Sequence, residues 1–436
     1  MVAPAEESQL QLREKLSKPI LIHRKKEMLR FNEIKISNAD YILVIVVFIL
    51  IATGLMAIYS ASYQVESPVL QANFTRQIVW MLVGTTLMLI VIIIPTGSYS
   101  LAAYWLYGIS IAILILTLIL NRGEGVSRWI SIGGLRFQPA ELAKLSIILV
   151  LARYLSEDKR NLNRMKDITF AFGIAAIPFI LIARQPDLGT ALVCLAILLP
   201  VLYWAGLPTF FLFVVIAPLM VMIASFNYYT FFLAMALVAI LLLLFKRGHV
   251  VSLFIMLLNI GVGIITPLMW NQLHDYQKLR ILTFLGIEID PQGYGYQIIQ
   301  SKVAIGSGGL LGKGLLNGTQ TQLRFLPAQH TDFVFSVIGE EAGFIGSIFV
   351  ILLFLFIILR GIYVASAVRN RYASLMVIGA VTVLGFHVVV NIGMTVGMMP
   401  VTGIPLPFLS YGGSFLISCM ILIGLIINAS IRRFKY

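Results

Sequence analysis

Charge is scarce in this sequence: Asp, Glu, Lys and Arg make up 12% of its 436 residues against 59% hydrophobic ones, and mean hydropathy is +0.94. A soluble chain of that length needs far more polar surface, so a soluble globular protein is excluded. Cysteine is nearly absent. Cys194 and Cys419 lie among aliphatic residues, which argues against a disulfide framework or a thiolate metal site. Strict polar–apolar alternation is missing too, and with it the signature of a transmembrane β-barrel. Residues 1–40 lack the short apolar core and small-residue cleavage site of a signal peptide, so they are expected to form a retained, basic cytoplasmic tail.

What the chain does have is apolar sequence in helix-length runs. Such runs lie near 41–60, 78–95, 101–120, 141–155, 168–184, 188–205, 208–226, 229–245, 250–269, 333–359, 373–391 and 409–430. They predict an all-α polytopic membrane protein of about twelve transmembrane helices, one domain over 41–436. The closely spaced pair 208–226 and 229–245 could instead form one re-entrant hairpin. Basic residues concentrate in the tail, in 153–166, at 246–247, in 360–371 and at the C-terminus. The positive-inside rule then puts both termini in the cytoplasm and makes 270–332 a large extracytoplasmic loop. The net charge of +13 follows from that topology and from anionic lipid headgroups, so no nucleic-acid partner is expected.

The exceptions to this pattern carry the chemistry. Between Trp270 and Asp332 the chain becomes rich in Gly, Gln, Lys and Asp, where polar groups can meet water or a buried cavity. Arg122, Arg128 and Arg136, with Arg280, Lys302, Lys313 and Arg324 from the long loop, are cations on the outer side against the rule. Beside a glycine-rich segment whose N–H groups can approach a ligand, they suit a pyrophosphate; solvated loop charges are the competing reading. Asp290 opens an Asp-Pro-x-Gly-x-Gly-Tyr turn able to present a carboxylate, although Asp before Pro is also a common turn initiator.

Glu141 and Lys144 share a helix face and are expected to pair inside the membrane. His330-Thr331-Asp332 reads as a helix entry, with Thr331 or Asp332 capping the helix that follows; the alternative is a contact to substrate or a divalent cation. Glu340 and Glu341 lie about two turns further on and need a polar interior, with Lys302 or Lys313 as partners. The prolines and glycines of NIGMTVGMMPVTGIPLPFLSYGGSF preclude one regular helix and predict an irregular turn lining a cavity. Ser410, Tyr411 and Ser414 are available there to sugar hydroxyls, and Met394, Met398 and Met399 read as packing.

Four strings, SRWISIGGLRFQPAELAK, RQPDLGTA, GYQIIQSKVAIGSGGLLGKGLLNGTQTQLRFLPAQHTDFVFSVIGEEAGFIG and NIGMTVGMMPVTGIPLPFLSYGGSF, together resemble the SEDS family of shape, elongation, division and sporulation proteins. GTQTQL and FLPAQHTDF read closer to its elongation members than to its division members. The resemblance implies a bacterial inner (plasma) membrane peptidoglycan glycosyltransferase that polymerises lipid II during cell elongation and shape maintenance. A lipid II flippase and a division-type polymerase are the alternatives.

It implies Asp290 as the catalytic base, the Glu141–Lys144 pair in a central cavity, and a class B penicillin-binding protein transpeptidase and other elongation-complex proteins as partners. The reaction turns an α-linked pyrophosphate into a β-glycoside, most simply by one inverting displacement. It needs a base for the incoming hydroxyl and cations for the leaving group. Arg128, Lys302, Lys313 and Arg280 are the candidate cations, and Gln300 and His330 complete the expected substrate-binding set. No metal ligands are expected; Mg or Mn is the one cofactor left open. Three features depart from the family pattern: Ala328 where a glutamate is usual, Ala140 where a serine is usual, and twelve spans where ten are usual.

Overall fold

A computed structural model describes residues 40–63, 68–120, 128–132, 135–157, 160, 162, 164–246, 248–270, 278 and 294–433. Its helices are α1 (Tyr41–Ser62), α2 (Pro68–Ile93), α3 (Thr96–Leu120), α4 (Pro139–Ser156), α5 (Met165–Ala183), α6 (Leu188–Trp204), α7 (Thr209–Ala224), α8 (Tyr228–Phe245), α9 (His249–Trp270), α10 (Tyr294–Ser307), α11 (Thr319–Gln322), α12 (Val334–Glu341), α13 (Gly343–Ala367), α14 (Arg371–Thr395) and α15 (Gly413–Ile431). The protein is an all-helical polytopic membrane protein. Each of the twelve apolar segments is helical, and among the described residues nine helices are long and apolar enough to cross a membrane. Two others, α6 and α7, are shorter at 17 and 16 residues, and α4 carries Glu141, Lys144 and Arg153.

Three details were not anticipated. The segment 333–359 is two helices, α12 and α13, broken at Ala342. The long loop contains α10, whose Ile298, Ser301 and Ala304 recur at helical spacing as a buried face. β1 (Ile130–Ile132) and β2 (Leu135–Phe137) pair as an antiparallel two-stranded hairpin, with Ser131 opposite Arg136. The pair 208–226 and 229–245 folds as two separate helices, α7 and α8.

Helix starts follow from local capping. Asp40 accepts from Leu43 N–H, Asp187 from Thr190 N–H at 3.2 Å and Asn370 from Ala373 N–H at 3.1 Å, each using a donor that the first turn leaves unpaired. Burial sorts the bundle into layers. The most apolar window of α15 is 89% buried and that of α14 78%, against 17% for α2 and for α9. α14, α15 and α4 therefore form the centre, while the outer helices turn apolar faces away from the protein, as helices bathed in lipid do. α7 and α8 build a small cluster of their own with Ile255 of α9, around Val221 and Val238, separate from the main core.

At one end of the bundle Arg360 pairs with Asp40, and Arg432 donates to the Ile92 and Ile93 carbonyls. At the other end the hairpin, the α5–α6 turn, residues 308–333 and the loop 396–412 converge, and there the polar motifs meet.

Candidate active site

The glycine-rich segment is organised by two buried carboxylates. Glu340, with no exposed surface, accepts from Lys313 Nζ at 2.9 Å, Gln320 N–H at 2.8 Å, Thr321 N–H at 2.9 Å and Thr321 Oγ1 at 2.8 Å. It closes the N-terminus of α11, which has no side-chain cap of its own. Glu341 accepts from Leu316 N–H at 3.2 Å and from the Ser60 hydroxyl of α1. Of the two expected partners for these glutamates, Lys313 is the one that pairs with Glu340.

The same contacts correct the expectation that the glycines free N–H groups for a ligand. Lys313 N–H donates to the Glu340 carbonyl and Gly314 N–H to the Glu341 carbonyl, both at 3.0 Å. Gly312, at φ +79°, would bring a Cβ to 2.1 Å from the Glu341 oxygen. The glycines allow backbone to lie on backbone at the α12–α13 break.

Glu141 and Lys144 pair as expected, with Lys144 Nζ 2.8 Å from Glu141 Oε1 and both side chains buried. The loop 404–411 packs beside them and carries the strongest ties between motifs. Asn391 Nδ2 donates to the Ile404 carbonyl at 2.7 Å and to the Asp332 carbonyl at 2.9 Å. Ser410 Oγ donates to the Thr331 carbonyl at 2.5 Å, and Tyr411 N–H to the His330 carbonyl at 2.9 Å. Three successive carbonyls of His330-Thr331-Asp332 are thus gripped by α14 and by the loop that follows it.

Of the two residues expected to cap α12, Thr331 does not. The N-cap of α12 is Phe333, without a side-chain bond, and Thr331 Oγ1 turns back to the Ala328 carbonyl at 3.2 Å. Ser410 is buried and committed to this junction rather than open to a sugar. Met394 is wholly buried and Met399 packs against its cluster, in line with a packing role, whereas Met398 is exposed.

The remaining candidates occupy the same end of the bundle. Arg128 donates to the Pro186 carbonyl at 2.5 Å and lies 3.8 Å from Asp187 Oδ2, which also accepts from Gln138 at 3.0 Å. One residue past Leu188, Gly189 lies against the 402–404 backbone, where a Cβ would stand 2.7 Å from the Thr402 oxygen. The two upstream motifs are therefore joined to each other and to the last one. Lys302 is exposed on α10, its chain lying over Gly397, and it forms no ion pair among the described residues. Gln300 is half-buried on the same helix. His330 faces Tyr411, with ring centroids 6.0 Å apart, and burial holds its pKa below the ordinary histidine value.

Asp290 and Arg280 lie outside the described residues. Among the described residues no three His, Cys, Asp or Glu side chains stand together as metal ligands. A cavity of about 120 Å³ with an apolar lining lies between Val91, Tyr99, Leu106, Leu142, Leu145 and Leu425, against α4.

Sequence reasoning passed over the residues that make these joins. His387, Asn391, Ser60 and Gln77 look like isolated polar residues in apolar runs. Gln77, buried on α2, donates to the Ser410 carbonyl at 3.3 Å and accepts from Gly412 N–H at 3.2 Å. The available signal was the expense of such groups inside a membrane, which marks each as needing a partner.

The arrangement matches known proteins across nearly the whole chain. The family model for FtsW, RodA and SpoVE, described as cell cycle protein, matches residues 40–236 and 211–435. Peptidoglycan glycosyltransferase RodA of Treponema pallidum is 35% identical over 91% of this chain and 99% of its own length. Peptidoglycan glycosyltransferase MrdB of Escherichia coli is 34% identical, covering 91% of this chain and 94% of its own. A chain from a solved peptidoglycan synthase complex, in which polymerization and crosslinking are coordinated, superposes with a TM-score of 0.69 at 32% identity over 91% of this chain and 99% of that one.

Proposed function

The chain belongs to the FtsW/RodA/SpoVE family of SEDS proteins, and from that membership we propose that it is a peptidoglycan glycosyltransferase that polymerises lipid II for cell elongation. The observation that carries the reading is the meeting of all four motif segments at one end of the bundle, around the buried Glu141–Lys144 pair. A transporter has no need to gather its polar motifs at one end; a transferase acting on the head group of a lipid does. By the distribution of basic residues, that end faces away from the cytoplasm and both termini are cytoplasmic.

The chemistry follows from the groups. An acceptor hydroxyl attacks the anomeric carbon of an undecaprenyl pyrophosphate donor, and the configuration inverts. Asp290, four residues before α10 in the sequence, takes the hydroxyl proton. The leaving pyrophosphate gains charge as its bond to carbon breaks, and a cation placed there lowers the barrier. Lys302 on α10 is exposed and uncommitted, which suits it best among the described cations. Arg128 is tethered to the Pro186 carbonyl but keeps about a third of its side chain exposed. Lys313 is committed to Glu340 and contributes through the segment it holds. Arg280, Gln300 and His330 complete the proposed substrate contacts. A divalent cation, Mg or Mn, would be held chiefly by pyrophosphate oxygens, since the protein offers no assembled cage among its described residues.

A class B penicillin-binding protein transpeptidase is the proposed partner, on the analogy of the similar chain from the peptidoglycan synthase complex. The test is polymerisation of labelled lipid II by the purified protein, with and without that partner. Glycan strands formed by the wild type support the reading. Lipid II translocation without strand formation would favour a flippase.

A further inference from the structure

The Glu141–Lys144 pair is incompletely satisfied by its own two members. Glu141 Oε2 is buried and receives no hydrogen bond from the described residues, among which a single bond from Lys144 to Oε1 ties the carboxylate. The placement of Lys144 therefore depends on whatever else holds its ammonium. That second anchor is His387 of α14, whose Nε2 lies 3.2 Å from Lys144 Nζ.

The hydrogen-bond network assigns the imidazole tautomer. His387 Nδ1 lies 3.0 Å from the Pro405 carbonyl oxygen, which can only accept, so Nδ1 carries the proton. In the neutral ring Nε2 then presents its lone pair to the ammonium; a second ring proton there would point at a cation. The Phe415 ring braces both partners, 4.8 Å from the imidazole centroid and 5.4 Å from Lys144 Nζ. One turn further along α14, Asn391 holds the neighbouring carbonyl of Ile404. Two side chains of one helix thus grip consecutive carbonyls of the loop, and only His387 extends that grip to the buried charges.

We propose that His387 is a positioning residue for glycosyl transfer: through Nε2 it fixes Lys144, and through Nδ1 it keeps the 404–411 loop in register with the Glu141–Lys144 pair. The proposal rests on the polymerase reading above. It differs from a packing role, in which the ring merely fills space against Phe415.

Four variants of the full-length protein separate these roles, each assayed on labelled lipid II for kcat and KM and for its melting temperature. His387→Phe keeps the ring and loses both polar atoms. His387→Asn stays near Pro405 but falls short of Lys144. His387→Gln can donate to Pro405 and accept from Lys144. Lys144→Met removes the charge.

The Phe and Asn variants should lose about tenfold or more in kcat with KM within about twofold of wild type, while Gln recovers to within about threefold. His387→Phe should add less than about twofold loss in a Lys144→Met background, because residues acting through one contact are not additive. Wild-type kcat in His387→Phe or His387→Asn overturns the proposal. So does equal impairment of folded Gln and Phe variants, or independent losses in the double variant. If Phe fails to fold, the contrast between Asn and Gln decides alone. A wild type that polymerises beside an inert Asp290→Asn establishes the parent reading whatever position 387 does. A wild type that does not polymerise removes both.

Discussion

Lys313 Nζ stands 2.9 Å from Glu340 Oε1, joining the loop that precedes α11 to a carboxylate with no exposed surface in α12. The ion pair and five further donors from 307–321 satisfy a charge that the membrane interior could not otherwise hold. Residues 307–321 are therefore a built part of the protein rather than a solvated connection.

Removing that carboxylate should show its structural weight. Glu340→Ala leaves the Lys313 ammonium and the first N–H groups of α11 without their acceptor, a loss of about 3 kcal/mol or more for a broken buried pair. Thermal unfolding in detergent should show a lower midpoint, and limited proteolysis should cut first within 308–322. An unchanged midpoint would show that water replaces the carboxylate at little expense.

Asp290→Asn keeps the size of the side chain and removes its basicity. Polymerisation of lipid II should fall on the order of a hundredfold while insertion, folding and binding of the transpeptidase persist. A flippase or a scaffold would tolerate the change. Near-normal strand synthesis by folded protein would move the base elsewhere, with Glu141 and Asp332 next in line.

For the leaving group, Lys302→Ala and Arg128→Ala should slow turnover more than they weaken lipid II binding, because the pyrophosphate charge grows toward the transition state. Lys302→Ala should have the larger effect of the two, since Arg128 spends a donor on the Pro186 carbonyl. Equal losses in binding and turnover would mean that these cations only capture substrate.

Topology can be read with thiol chemistry, because both native cysteines are buried. Cysteines at Leu311, which is 80% exposed, and at Asn163 should react with an impermeant reagent from opposite sides of the membrane. Labelling from the same side would overturn the orientation and the placement of the site outside the cytoplasm.

His330 offers a pH test. Its pKa is lowered in the folded protein by burial, so the unfolded chain binds the extra proton more readily. Its contribution to stability is present above the ordinary histidine value of about 6.5 and is lost as pH falls toward the lower folded value. His330→Gln should flatten the fall in melting temperature between about pH 6.5 and 5 relative to wild type. An unchanged slope would mean that the ring titrates as freely folded as unfolded.

Long-wavelength features of this protein were legible from its residues. Apolar runs located every long helix because a membrane requires each span to satisfy its own backbone, and the spacing of Glu141 and Lys144 implied their pairing through helical geometry alone. The prolines and glycines after Thr395 likewise announced the irregular loop.

What only the tertiary structure decided was which polar group meets which. Lys313 rather than Lys302 serves Glu340, the distant His387 joins Glu141 in holding Lys144, and the carbonyls of 330–332 are held from 391–411. These long-range partners lie between 27 and 243 residues apart, and no local periodicity encodes such distances. A buried polar group announces in sequence that it needs a partner, because leaving it unpaired is so costly, but the helix packing chooses the partner.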